Sequence, residues 1–187
     1  MKAYLQSFNL FSEADITELL ALGTYISMKK GDYFFEGGKT CNKVAFVFSG
    51  SFRHFYQSAS GEEITYCFTL ADNFVTAYSS FVSNKKTNEC IQALADASLF
   101  VIPKTEMERL INTRNNWLTF SKIIADRQYI KRENRILLLQ KESAKMKYES
   151  LLEDKPEYVL NIPLQYLASY IGVTQRHLSR LRKEMSF

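Results

Sequence analysis

Residues Leu164–Lys183 read LQYLASYIGVTQRHLSRLRK, a pattern that suits two short helices crossing at a steep angle. Such a crossing needs a small residue at the contact, a residue tolerant of positive φ in the turn, and apolar residues facing inward from both helices. Ala168 is the small residue, Gly172 stands in the turn, and Leu164, Leu167, Ile171, Val173, Leu178 and Leu181 supply the inner faces. Pro163 opens the first helix where its missing N–H costs nothing, and Thr174 is a natural N-cap for the second. With Leu178, Leu181 and Met185 turned inward, the outer face of the second helix carries Gln175, Arg176, Ser179, Arg180 and Lys183, with Thr174 at its start. Arg donates twice to a guanine edge, Gln pairs with adenine, and Lys acts as a point charge on phosphate. A solvated basic helix face is the plain alternative. The complete inner-face pattern favours a helix-turn-helix that reads double-stranded DNA through these six residues. His177 is a flank or phosphate contact rather than a metal ligand.

Charge agrees once it is located. The 187 residues carry a net charge of only +4, yet Gly172–Phe187 holds Arg176, Arg180, Arg182 and Lys183 against the single acid Glu184. With 46% hydrophobic and 24% charged residues the chain is globular. Its longest apolar run, Val44–Phe48, falls far short of the roughly 20 residues that cross a bilayer, and Met1, Lys2 and Ala3 lead into no signal-peptide pattern. The expectation is a cytoplasmic protein. Cys41, Cys67 and Cys90 are too few and too scattered for a disulfide framework, a zinc site or an iron–sulfur cluster, and read as buried thiols.

Upstream of the reader, residues 115–141 lack Gly and Pro and repeat in steps of three and four at Phe120, Ile123, Arg127, Ile130, Asn134 and Leu137. This heptad seam fits pairing with a second copy, with Arg127 and Asn134 setting register. An amphipathic helix lying on its own domain is the alternative. Ser143 to about Leu152 is helical again, Asp154, Lys155 and Pro156 break it, and Tyr158–Ile162 reads as a short extended piece.

Aromatic residues crowd between Tyr33 and Phe81 and alternate as half-buried strands do: Val44, Phe46 and Phe48, then Phe52, His54 and Tyr56, then Ile64, Tyr66, Phe68 and Leu70. Gly31-Asp32, Gly37-Gly38, Ser49-Gly50 and Ser58–Gly61 punctuate them with turn chemistry. Leu94–Ile102 reads as a closing strand ended by Pro103, and residues 104–112 as a short helix. Asp15–Leu22 reads as a helix capped by Ser12. The fold class is therefore α+β: an N-terminal antiparallel β-roll of jelly-roll type, a long dimerisation helix and a C-terminal helix-turn-helix.

This order resembles the Crp/Fnr family of transcription regulators, on the strength of KKGDYFFEGGKTCNKVAFVFSGSFRHFY (Lys29–Tyr56), GEEITYCF (Gly61–Phe68) and the block from Ile162 onward. The resemblance implies a cyclic-nucleotide-binding-like sensor over residues 1–112, a dimerisation helix over 113–141 and a winged-helix-like DNA-binding domain over 142–187. It also implies a homodimer on a palindromic site, with RNA polymerase as partner. Its effector pocket maps to Val75, Thr76, Ala77, Tyr78, Lys86, Thr87 and Asn88. Members that bind cyclic AMP carry Gly-Glu where this chain has Thr76 and Ala77, and Arg followed by Ser or Thr where it has Thr87 and Asn88. The missing guanidinium forfeits a contact worth on the order of 2 kcal/mol, which argues against cyclic AMP and leaves the effector unassigned.

No cofactor, metal site or catalytic residue is expected. A cupin enzyme would need several His in the barrel, and only His54 lies there; that single His is also the barrel's only candidate haem ligand. A sensory scaffold that binds protein instead of DNA would more naturally show an apolar outer face than Gln175, Arg176, Arg180 and Lys183.

Overall fold

In the computed structural model, which describes residues 1–141 and 143–185, α1 (Lys2–Gln6) and α2 (Glu13–Ala21) precede the strands. Ser12 caps α2 as expected: its Oγ accepts from the Asp15 N–H, while the Asp15 carboxylate accepts from the Ser12 N–H. Next come β1 (Thr24–Met28), β2 (Tyr33–Phe35), β3 (Lys43–Ser49), β4 (Ser51–Gln57), β5 (Glu63–Leu70), β6 (Asn73–Val75), α3 (Tyr78–Ser83), β7 (Cys90–Ala93) and β8 (Ala97–Pro103). The strands form two antiparallel sheets in the orders β1-β8-β3-β6 and β2-β7-β4-β5, the expected jelly-roll arrangement.

Gly50 turns β3 into β4 with φ +93°, and a Cβ there would lie 2.6 Å from the Ala97 Cβ, so the corner admits only glycine. The strand expected over Leu94–Ile102 starts later, at Ala97, and runs to Pro103 as β8. β7 stops at Ala93 in one sheet and β8 starts at Ala97 in the other. Asp96 makes the corner between them by accepting from the Lys30 N–H at 2.9 Å and pairing with Lys29. Alternation is also blurred in β3, where Val44–Val47 are all buried: the rings of Tyr4 and Phe74 cover Phe46 on the side away from the inter-sheet core.

The chain divides into two compact units, Met1–Tyr56 with Phe68–Asp126, and Gln57–Cys67 with Arg127–Phe187. In the first, α4 (Lys104–Thr113) leads into α5 (Asn115–Lys141). Trp117 and Phe120, 0% and 3% exposed, pack against Phe11, and Phe120 also meets Phe8 edge-on. Phe120 thus leaves the expected seam, because its own domain's core takes it. From Ile123 onward the seam positions lie about a quarter turn away from that buried face, and Ile130 and Leu137 are 55% and 44% exposed.

The second unit holds the β4–β5 hairpin tip, the rest of α5, α6 (Ala144–Asp154), α7 (Pro156–Asn161), α8 (Leu164–Ile171) and α9 (Gln175–Met185). Tyr158–Ile162, expected as extended, is helical through Asn161. Pro156 sits at the first helical position, where its fixed φ starts a helix, and the backbone becomes extended only at Ile162. None of the three cysteines is in a disulfide; Cys41 is buried as expected, whereas Cys67 and Cys90 are half-buried.

Candidate nucleic-acid interface

The turn between α8 and α9 follows from two residues. Gly172 takes the left-handed conformation (φ 75°, ψ 35°) and ends α8, with the Val173 N–H donating back to the Ala168 carbonyl at 2.9 Å. Thr174 then caps α9 by accepting the His177 N–H on its Oγ1 at 3.2 Å. Leu167, Ala168, Ile171, Leu178 and Leu181 are buried between the helices, while Leu164 and Val173 are half-buried.

That packing leaves the outer face of α9 free. Thr174, Gln175, Arg176, Arg180 and Lys183 are exposed and Ser179 is half-buried. Gln175, Arg176, Ser179, Arg180 and Lys183 line one open groove of 640 Å³ together with Leu164. Arg180 makes an ion pair with Glu184 at 3.7 Å, with both side chains largely in solvent, so it is readily released to another anion. His177 lies on a neighbouring hollow with Ser143, Lys145, Leu181 and Glu184. Among the described residues no group of His, Cys, Asp and Glu is placed to hold a metal ion, and no helix is long and apolar enough to cross a membrane.

The residues expected to form an effector pocket do not converge on a shared polar site. Val75 and Ala77 are wholly buried in the core. The Thr76 hydroxyl donates to the Lys43 carbonyl at 2.9 Å. The Thr87 backbone donates its N–H to the Lys39 carbonyl at 3.2 Å and accepts from the Gly38 N–H at 2.7 Å. Tyr78, Lys86 and Asn88 are exposed.

Three polar residues that sequence reasoning passed over fix this segment. Ser80 accepts the Cys41 N–H at 2.9 Å and donates to the Lys85 carbonyl at 2.6 Å. Lys104, 6% exposed, donates to the Phe81 carbonyl and to Asn84 Oδ1 at the end of α3. Glu89 meets His54 inside the roll. Only the last pairing had a sequence cue, in the isolated His54.

In the second unit, burial raises the phenols of Tyr158 and Tyr170 above the usual tyrosine range. Arg135 of α5 donates to the Tyr170 carbonyl at 2.7 Å and lies 4.4 Å from that ring's centre.

Comparison with known proteins places this architecture. The model of the cyclic nucleotide-binding domain family matches residues 25–114. The whole chain has the fold of the Crp/Fnr transcriptional regulators. It superposes on FixK2 from Bradyrhizobium japonicum with a TM-score of 0.78 at 15% identity, covering 88% of this chain and 84% of that one. A Crp/Fnr family regulator from Eubacterium rectale gives 0.76 at 18% identity, covering 98% of this chain and 88% of that one. The c-di-GMP-responsive global regulator CLP from Xanthomonas campestris gives 0.76 at 14% identity, covering 94% and 92%. No curated protein matches the sequence.

Proposed function

We propose that the chain is a cytoplasmic, homodimeric, sequence-specific DNA-binding regulator of transcription and not an enzyme. In this reading residues 1–112 sense, 113–141 pair and 142–187 read DNA. The observation that carries it is the division of α9 into two faces: Leu178 and Leu181 are buried, while Gln175, Arg176, Ser179, Arg180 and Lys183 share one solvent-open groove. A basic face with both bidentate and point-charge donors suits a major groove, in which a helix of 11 residues, about 16 Å long, fits. The fold shared with Crp/Fnr regulators supports the same reading and brings RNA polymerase as a partner at the promoter.

Pairing runs along Ile123, Arg127, Ile130, Asn134 and Leu137, whose exposed apolar members have no reason to face water in a monomer. It would set two readers on half-sites about 34 Å apart. The β-roll responds to a signal other than cyclic AMP: Thr76, Ala77, Thr87 and Asn88 stand where an acid and a guanidinium would hold that ligand, and the Thr76 hydroxyl is engaged by a backbone carbonyl.

Selection from a random DNA pool with purified protein tests the reading. A palindromic consensus is expected. Recovery of no consensus, with salt-independent retention of DNA, would refute it. Calorimetry with cyclic AMP should show no micromolar binding.

A further inference from the structure

Ser169 is a polar residue on α8, whose buried face is Leu167, Ala168 and Ile171. Its Oγ accepts the backbone N–H of Thr65 at 2.9 Å and donates to the carbonyl of Glu63 at 3.4 Å. β5 is an edge strand, and these two groups are ones that a further strand would satisfy. One serine hydroxyl takes that strand's place.

Two arginines of α5 brace the same joint. Arg135 holds the next residue of α8 through the Tyr170 carbonyl and ring. Arg132 lies 5.8 Å from the ring centre of Tyr66 in the hairpin. Tyr158 meets Tyr170 edge-on at 6.0 Å.

The joint is not fully satisfied. Among the described residues, the buried side-chain polar atoms without a hydrogen-bond partner are Thr65 Oγ1, Arg135 Nε and Trp117 Nε1. The first two belong to residues of this joint. Buried polar groups are rarely left unpaired, so this docking is held against a cost.

We propose that Ser169 is a positioning residue. It ties α8 to the edge of the β4–β5 hairpin, so that a displacement of the hairpin is passed to the helix pair that carries the reading face. The inference rests on the DNA-reading function proposed above. Ser169 itself lies outside the groove on α9.

The test uses the full-length protein with Ser169→Ala and Ser169→Thr, amide hydrogen exchange, and binding to a selected palindrome and to its isolated half-site. Ser169→Ala should speed exchange of the Thr65 amide about tenfold while α9 stays protected. It should weaken palindrome binding about fivefold or more with half-site affinity unchanged, and it should relax the preference for one half-site spacing. Ser169→Thr should restore all three. An unchanged Thr65 amide, or equal losses on palindrome and half-site, would overturn the proposal, the second by showing a merely structural defect. Wild-type protein that binds no DNA at all would overturn the underlying function instead. Wild-type binding with an indifferent Ser169→Ala would overturn only the positioning role.

Discussion

Glu89 Oε1 lies 2.8 Å from His54 Nδ1 inside the β-roll, where both residues are less than 9% exposed. The other ring nitrogen is 2.9 Å from the Thr69 hydroxyl. Both nitrogens are therefore committed within the protein, and His54 reaches a haem iron only by giving up one of these bonds. Its neighbours on the inward face, Phe52 and Ile91, are fully buried, so the pair is a polar core element at the heart of the β-roll.

Removing one partner strands the other. His54→Ala leaves a buried carboxyl without its ring partner and should cost about 3 kcal/mol. Glu89→Gln keeps a hydrogen-bonding oxygen and should cost less than half as much. Urea unfolding followed by the fluorescence of Trp117, the single tryptophan and a core residue of the same unit, measures both. Negligible cost for both would show that the contact is unimportant.

On the proposed reading face the two kinds of base should separate cleanly. Arg180→Ala should lose about 1–3 kcal/mol on the selected sequence and little on random DNA, while Lys183→Ala should weaken both and lower the salt slope by about one. Thermal stability should hardly change, because the Arg180–Glu184 pair is exposed. Fluorescence anisotropy across a salt series gives every quantity.

The pairing proposed along α5 rests on Ile130 and Leu137, one heptad apart and exposed in the single chain. Placing a carboxylate between two copies, as in Ile130→Asp, should convert a dimer to a monomer in analytical ultracentrifugation. The corresponding change at Phe120, a core residue, should instead unfold the first unit. A variant Ile130→Asp that stays dimeric would place the interface elsewhere.

Alkaline pH probes the second unit. Burial raises the phenols of Tyr158 and Tyr170 above their usual value of 10.0. The unfolded chain therefore ionises first. The stability these residues lend is complete below pH 10 and is lost as pH rises toward the higher native values. Denaturation midpoints of the wild type should fall as pH rises above about 10, and Tyr158→Phe should flatten that fall. An unchanged slope would mean that the phenols are not shielded.

The helix-turn-helix was legible in sequence because everything that makes it lies within Pro163–Met185, where helical spacing alone tells inner from outer face. The β-roll was legible through aromatic alternation and its glycine turns. Three things were not. Heptad spacing cannot tell which body fills a seam position, so Phe120 was assigned to a partner although its own domain's core takes it. The strand expected over Leu94–Ile102 hid a sheet-to-sheet corner, because Asp96 earns its place through contacts with Lys29 and Lys30 that no local pattern reveals. Pairs such as His54 with Glu89, or Ser169 with Thr65, join residues 35 and 104 positions apart, and only the folded chain brings them together.

The unbroken α5 sets one further condition, on how this sequence is free to change. Its first turns are phased by Trp117 and Phe120 in a core, and its later turns by Ile130 and Leu137 on the surface. Each residue added between them would rotate the second set by about 100° relative to the first. Single insertions or deletions there would move the exposed stripe off its face, whereas a whole heptad would nearly preserve it. Among related sequences, length variation in this helix should therefore come in steps of seven, while the loops of the β-roll vary freely.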